Sequence, residues 1–443
     1  MLVVTSNWAV ADGTLVDPPP RWYAERFCAE LRRSAVQAGF RRDGRYRPID
    51  RIEIVLAGDT FDWLLTDAWL GGSRPWQHAR RSGPVSEQVM ARSLRRAARP
   101  LAGLARMVRH GLPVPAADFR GRPIVGSAIR VPVRATLLAG DRDALLQEPR
   151  SRLLAERFGM GVGECWTNGA IAVCHGDAFD PLCGRPPRAA AGDRPPTLHE
   201  SIVVDLLAEF GAMLRDRRAV SDGGRRLMRS LAAVHPLDLP RRLTAWLQRT
   251  DDRGEAADTD RDGIVTVWHR AVAQWHRRAR RQAPATAIEF DAVEEIAAWM
   301  DRLDGAAASG PAGGLHELVD TAHAAVVPPA GGGDAVRFAV FGHLSQGFTT
   351  SIDDPSAVRI CLGPRPVRRS FGLAALVRSP AVDVACIAPM VGGGEQEPRS
   401  VTIFEPGEAG GSDTFVRAAD QDALSDSQAS GGAPEGVRIV DAA

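Results

Sequence analysis

In the stretch Ile52-Glu53-Ile54-Val55-Leu56-Ala57-Gly58-Asp59-Thr60-Phe61-Asp62, a mostly apolar run ends in a glycine turn that carries two carboxylates. An apolar run of that length, closed by a turn residue, reads as a buried strand. A ligand just past the end of such a strand lies on a sheet edge, where crevices and metal sites form. The same pattern recurs three times. Residues 135–139 lead into Gly140-Asp141-Arg142-Asp143, residues 170–174 into His175-Gly176-Asp177, and residues 336–341 into Gly342-His343. Strands that share an edge would bring Asp59, Asp141, His175 and His343 together. Two carboxylates and two imidazoles suit one divalent cation of the zinc, manganese or iron type.

Around these runs the chain alternates strand and helix patterns. Leu2–Thr5 reads as a short buried strand, Arg21–Gln37 as an amphipathic helix and residues 85–110 as a long helix; a strand near residues 129–132 and a helix near 150–157 follow. That alternation predicts an α/β fold. Beyond residue 181 the character changes. Residues 185–196 are rich in proline and arginine and read as a linker. Helical patterns then occupy residues 200–217, 225–234, 239–249, 264–280 and 287–303. The expected organisation is a core in two parts, residues 1–184 and 331–406, interrupted by a helical cap over 185–330. Terminal strands are expected near 357–362, 382–387 and 400–404. A tail over 407–443, rich in Gly, Ala, Ser and Asp, is expected to be disordered.

Composition narrows the function classes. Of 443 residues, 44% are hydrophobic and 25% charged, which is ordinary globular usage with room for a large core. The net charge of +1 gives no global field for nucleic acid or an anionic membrane. All 55 basic residues are arginine, so a Walker-type phosphate loop and a Schiff-base lysine are both excluded. The cysteines at 28, 165, 174, 183, 361 and 386 form no C-x-x-C pair. The first residues lack a signal peptide's basic and apolar regions, and no apolar run approaches the roughly 20 residues that cross a bilayer. The expectation is a cytoplasmic protein with free thiols.

The order of these motifs resembles the calcineurin-like metallophosphoesterases, whose pattern is Asp-x-His, Gly-Asp-x-x-Asp, Gly-Asn-His-Asp, a His-Gly-Asp type and Gly-His-x-His. The resemblance covers residues 1 to about 369 and includes Phe179-Asp180-Pro181 and Ile360-Cys361-Leu362-Gly363. It implies a two-sheet sandwich flanked by helices, with two metals on the strand ends and a bridging hydroxide that attacks a phosphate ester. The departures fall on one side of that site. Asn7 stands where the family has aspartate, Ala9 where it has histidine, and Ser345 replaces the second histidine of Gly-His-x-His. Neutral oxygens and a methyl do not draw a dication out of its water shell. The other position keeps Asp59, Asp141, His175 and His343 as metal ligands, so one metal per chain is expected.

The family's leaving-group histidine is here Arg142, which can stabilise phosphate charge but cannot donate a proton near neutral pH. Asp143, its neighbour, would pair with it. Asp62 reads as a cap or brace for the turn, Asp177 and Asp180 equally as partners that orient His175 or as surface turn residues, and Trp63, Trp69 and Trp76 as core rather than pocket lining. His199, His235, His316 and His323 read as core or exposed histidines of the helical region. The resulting expectation is a metal-dependent phosphoesterase that hydrolyses a phosphate ester or anhydride; a small-molecule or lipid-linked phosphoester is one candidate substrate, and nucleotides, phosphoproteins and nucleic acids stay open. Its rival is an inactive pseudo-phosphoesterase that serves as a binding or scaffold module. The oligomeric state is not legible in the sequence.

Overall fold

The computed structural model describes the chain except residues 7, 19–20, 42, 169–170, 185–192, 217–220, 233, 253–260, 283–290, 304–337, 344–347, 352–357, 362–364, 367–379, 382–383, 390–397, 405–413 and 418–443. Asn7, His316, His323 and Ser345 therefore lie outside the described residues.

The fold is mixed α/β. A seven-stranded sheet runs in the order Thr414–Arg417, Pro398–Phe404, Val384–Pro389, Leu2–Thr5, Ile52–Ala57, Val133–Leu138, Gly161–Gly163. From Leu2–Thr5 onward the neighbours are parallel; the other three strands join antiparallel. A five-stranded sheet runs Phe348–Ser351, Val358–Cys361, Phe338–Phe341, Ile171–Cys174, Cys165–Asn168, and its three central strands are parallel. The central strand Ile52–Ala57 is buried at every residue but Glu53. Parallel strands covered on both faces read as such near-continuous apolar runs.

The helical region after the strand Ile171–Cys174 does not fold apart from this core. Buried side chains from Ile202 to Met300 belong to the same hydrophobic cluster as Val3, Ile54 and Leu137. Its first turn, Leu198–Ser201, is fixed by a capping box: Glu200 N donates to Thr197 Oγ1 at 3.0 Å, and Thr197 N donates to Glu200 Oε2 at 2.9 Å. The chain then widens into a π-helical run, Ile202–Ala208, in which every residue is buried. Trp63, Trp69 and Trp76 are all core residues.

Several elements differ from the sequence expectation. The long helix spans Ala79–His110, starting ahead of Pro84 because His78 Nδ1 accepts a bond from Arg80 N at 3.2 Å. The expected strand at 129–132 is the end of a hairpin between Leu112–Ala117 and Pro123–Val131. Thr414–Arg417, inside the stretch expected to be disordered, is a strand paired with Pro398–Phe404. Among the described residues, no helix is long and apolar enough to cross a membrane.

Candidate metal centre

Strand register delivers the four predicted residues to one place. Ala57 pairs with Leu138 on adjacent parallel strands, so Asp59 and Asp141 leave the larger sheet at the same end. Cys174 pairs with Phe341 in the smaller sheet, which places His175 beside His343. Gly342 N and His343 N both donate to His175 O, at 2.8 and 2.9 Å. His175 Nδ1 donates to Ala57 O at 2.8 Å and ties the two sheets together. Asp59, Asp141, His175 and His343 are all buried, and each offers a ligand atom within 4.8 Å of the others.

The glycine before each turn ligand is explained by this convergence. A methyl group at Gly58 would collide with the His175 ring, one at Gly140 with the Asp59 carboxylate and the His175 ring, and one at Gly342 with the Ala57 carbonyl and Ser6. Gly58 has φ of +88° and Asp59 has φ of +51°, a left-handed conformation rare outside glycine, asparagine and aspartate. The two Gly-Asp turns also brace each other. Asp143 accepts from Gly140 N at 2.6 Å and Phe61 N at 3.2 Å, while Asp59 Oδ1 accepts from Arg142 N at 3.1 Å.

Hydrogen-bond logic fixes which ring nitrogens are bare. A backbone carbonyl only accepts, so Nδ1 of His175 carries a proton and Nε2 of the neutral ring presents a lone pair. That Nε2 faces Asp141 Oδ1 at 2.8 Å, His343 Nδ1 at 3.2 Å and Asp59 Oδ1 at 3.5 Å. His343 Nε2 donates to Asp180 Oδ2 at 2.6 Å, so in the neutral ring it is Nδ1 that is bare, 3.0 Å from Asp141 Oδ1. Lone pairs of two imidazoles and two carboxylates thus point at one another. Such an arrangement holds together only around protons or a cation, and the donor set fits a divalent metal.

Without a metal the protons are held strongly. Burial opposes charge on His175, but the Asp59 and Asp141 carboxylates outweigh it and raise its pKa to about 9. Burial likewise opposes the His343 imidazolium, and Asp141 and Asp180 lift its pKa well above the ordinary value. Burial works against ionising Asp141, yet His199 and His343 hold its carboxyl well below the usual range. Asp59 is pushed up by burial and by Asp141. Burial, with the charge of Asp59, pushes Asp143 up to about 8.

Two sequence expectations about neighbouring residues are corrected. Arg142 does not pair with Asp143, whose oxygens are taken by backbone N–H groups. Its Nη1 instead pairs with Asp62 Oδ2 at 3.0 Å and donates to Ala232 O at 2.8 Å in the helical region. Asp62 does brace the turn, accepting from Leu65 N at 3.0 Å. Asp180 orients His343 and His235 rather than His175, whose ring is held by the Ala57 carbonyl. Three residues at this centre, His199, His235 and Cys183, carry no site role in the sequence reading. His199 Nδ1 lies 3.0 Å from Asp141 Oδ2, His235 Nε2 donates to Asp180 Oδ2 at 2.8 Å, and Cys183 Sγ lies 3.7 Å from that same oxygen. The local signal that could have found His199 is the capping box Thr197-Leu198-His199-Glu200, which starts a helix on a buried histidine.

Compared with known proteins, the chain matches no family model and no curated protein sequence.

Proposed function

We propose that the chain is a metal-dependent phosphoesterase, a divergent relative of the calcineurin-like enzymes, with its two sheets stacked as a sandwich and residues 185–330 acting as the cap. One observation carries this reading: two carboxylates and two bare imidazole nitrogens, on four strand ends, converge on a buried point. Asp59, Asp141, His175 and His343 would hold a manganese, iron or zinc ion. A divalent cation there supplies Lewis-acid stabilisation of charge on phosphoryl oxygens. The chain's own groups do the positioning. The Ala57 carbonyl and the Asp180 carboxylate set the tautomers of His175 and His343. Asp143 locks the two Gly-Asp turns together through Gly140 N and Phe61 N, and the four ligands are buried. The substrate would be a small-molecule or lipid-linked phosphoester.

A second reading, a metal-binding module without turnover, is favoured by Arg142. The residue best suited to grip a phosphate already serves Asp62 and the Ala232 carbonyl. Hydrolysis of an aryl phosphate and an aryl phosphodiester with added manganese separates the two. Turnover that disappears in His175→Ala supports the enzyme. Stabilisation by manganese with no hydrolysis of either ester supports the binding module.

A further inference from the structure

Two more buried groups of ligand-type side chains adjoin the quartet: Asp180, His235 and His343, and Asp141, Cys183 and His199. They differ in how their protons are settled. In the first, Asp180 Oδ2 accepts aligned bonds from His235 Nε2 at 2.8 Å and His343 Nε2 at 2.6 Å, and Asp180 Oδ1 accepts from Leu182 N at 2.8 Å. Those atoms need no cation. In the second, His199 Nδ1 and Asp141 Oδ2 stand 3.0 Å apart, yet among the described residues neither makes an aligned hydrogen bond to the other or to any other group. Both residues are buried. A carboxylate oxygen and a ring nitrogen kept from water without a partner are costly, and close approach without alignment is how two ligands stand when they share a third body.

We propose that a second divalent cation, zinc by the chemistry of its donors, binds between Asp141 Oδ2, His199 Nδ1 and Cys183 Sγ. Thiolate, imidazole and carboxylate together select a borderline-soft ion, and three protein ligands leave a fourth position open. Asp141 then bridges, one oxygen in each site. The ligands come from the turn after the His175 motif and from the first turn of the helical region, not from positions 7, 9 and 345. The inference rests on the reading that the quartet holds a metal, and adds a second one beside it.

Zinc content of the full chain, purified without chelator and reconstituted with zinc, tests it together with the absorption of the cobalt-substituted protein. Two equivalents per chain and a thiolate-to-cobalt charge-transfer band are expected. His199→Ala and Cys183→Ser should each retain one equivalent and lose the band, with far-ultraviolet circular dichroism confirming a folded chain. Cys183→Ser changes a single atom, so it serves if His199→Ala fails to fold. One equivalent in the unaltered protein, with no band, overturns the second site and leaves the quartet standing. No bound metal overturns both.

Discussion

Removing the metal should make the stability of this protein depend on pH in a direction that the loaded protein does not share. In the chelated chain the centre is held by protons, with His175 facing Asp59, Asp141 and His343, and with His199 on the far side of Asp141. His175 has its pKa raised from the ordinary 6.5 to about 9. A raised folded-state value means that the stabilisation is complete below about pH 6.5 and is lost as the pH climbs through about 9. At about 1.4 kcal/mol per unit, the loss from this residue alone is on the order of 3 kcal/mol. Asp59, Asp143 and His343 are also shifted upward, so their titration adds in the same direction. Asp141 and Asp180 are shifted downward and stay ionised across the window.

With metal bound, the ligands have already given up their protons, and binding strengthens as the pH rises. Urea denaturation of chelated and reconstituted protein at several pH values between 6.5 and 9.5 measures both curves. The chelated protein should lose about 3 kcal/mol or more, while the loaded protein holds steady or gains. A His175→Gln variant, whose side chain does not titrate, should make the chelated curve shallower, leaving the share of Asp59, Asp143 and His343. A chelated curve that is flat or rising, or a His175→Gln curve with the unaltered slope, refutes the proton-held centre.

Other perturbations address the surrounding structure. Arg142→Met strands Asp62 in the interior and should destabilise by about 3–5 kcal/mol in urea denaturation, with much of that recovered when Asp62→Leu is added. A cost under about 1 kcal/mol, with loss of turnover instead, would return Arg142 to a phosphate-binding role. Gly140→Ala crowds the Asp59 carboxylate and the His175 ring and should weaken metal binding about tenfold or more by calorimetry; unchanged affinity would mean the strand ends have slack that the structure denies. Cys165 and Cys174 face each other across paired strands with their sulfurs 2.7 Å apart. Mild oxidation with a disulfide such as oxidised glutathione should join them, and alkylation counting should then find two fewer thiols than in the reduced chain, a difference that Cys165→Ser abolishes.

The parts of this centre that were legible in the sequence are the parts encoded locally. Ile52–Ala57 is apolar because both of its faces are covered, and the glycine that follows is glycine because the His175 ring occupies the space of a Cβ. Burial pattern and turn chemistry are read within about ten residues, so the strand ends and their ligands could be placed without a structure. Arg142 and Asp62 lie 80 positions apart, and Asp141 and His199 meet across two elements that pack together only in the fold. The sequence therefore offered Arg142 as an unclaimed cation and His199 as one helical histidine among several. Asp180 is instructive in a different way. Phe179-Asp180-Pro181 stood out in the sequence as a flanking likeness, yet its function depends on which N–H of His343 it accepts from, and a tautomer has no sequence signature. What the chain can encode locally is that an imidazole arrives at the centre. Whether it arrives with its lone pair facing inward is decided by a partner from another segment, and at His175 and His343 those partners are the Ala57 carbonyl and the Asp180 carboxylate.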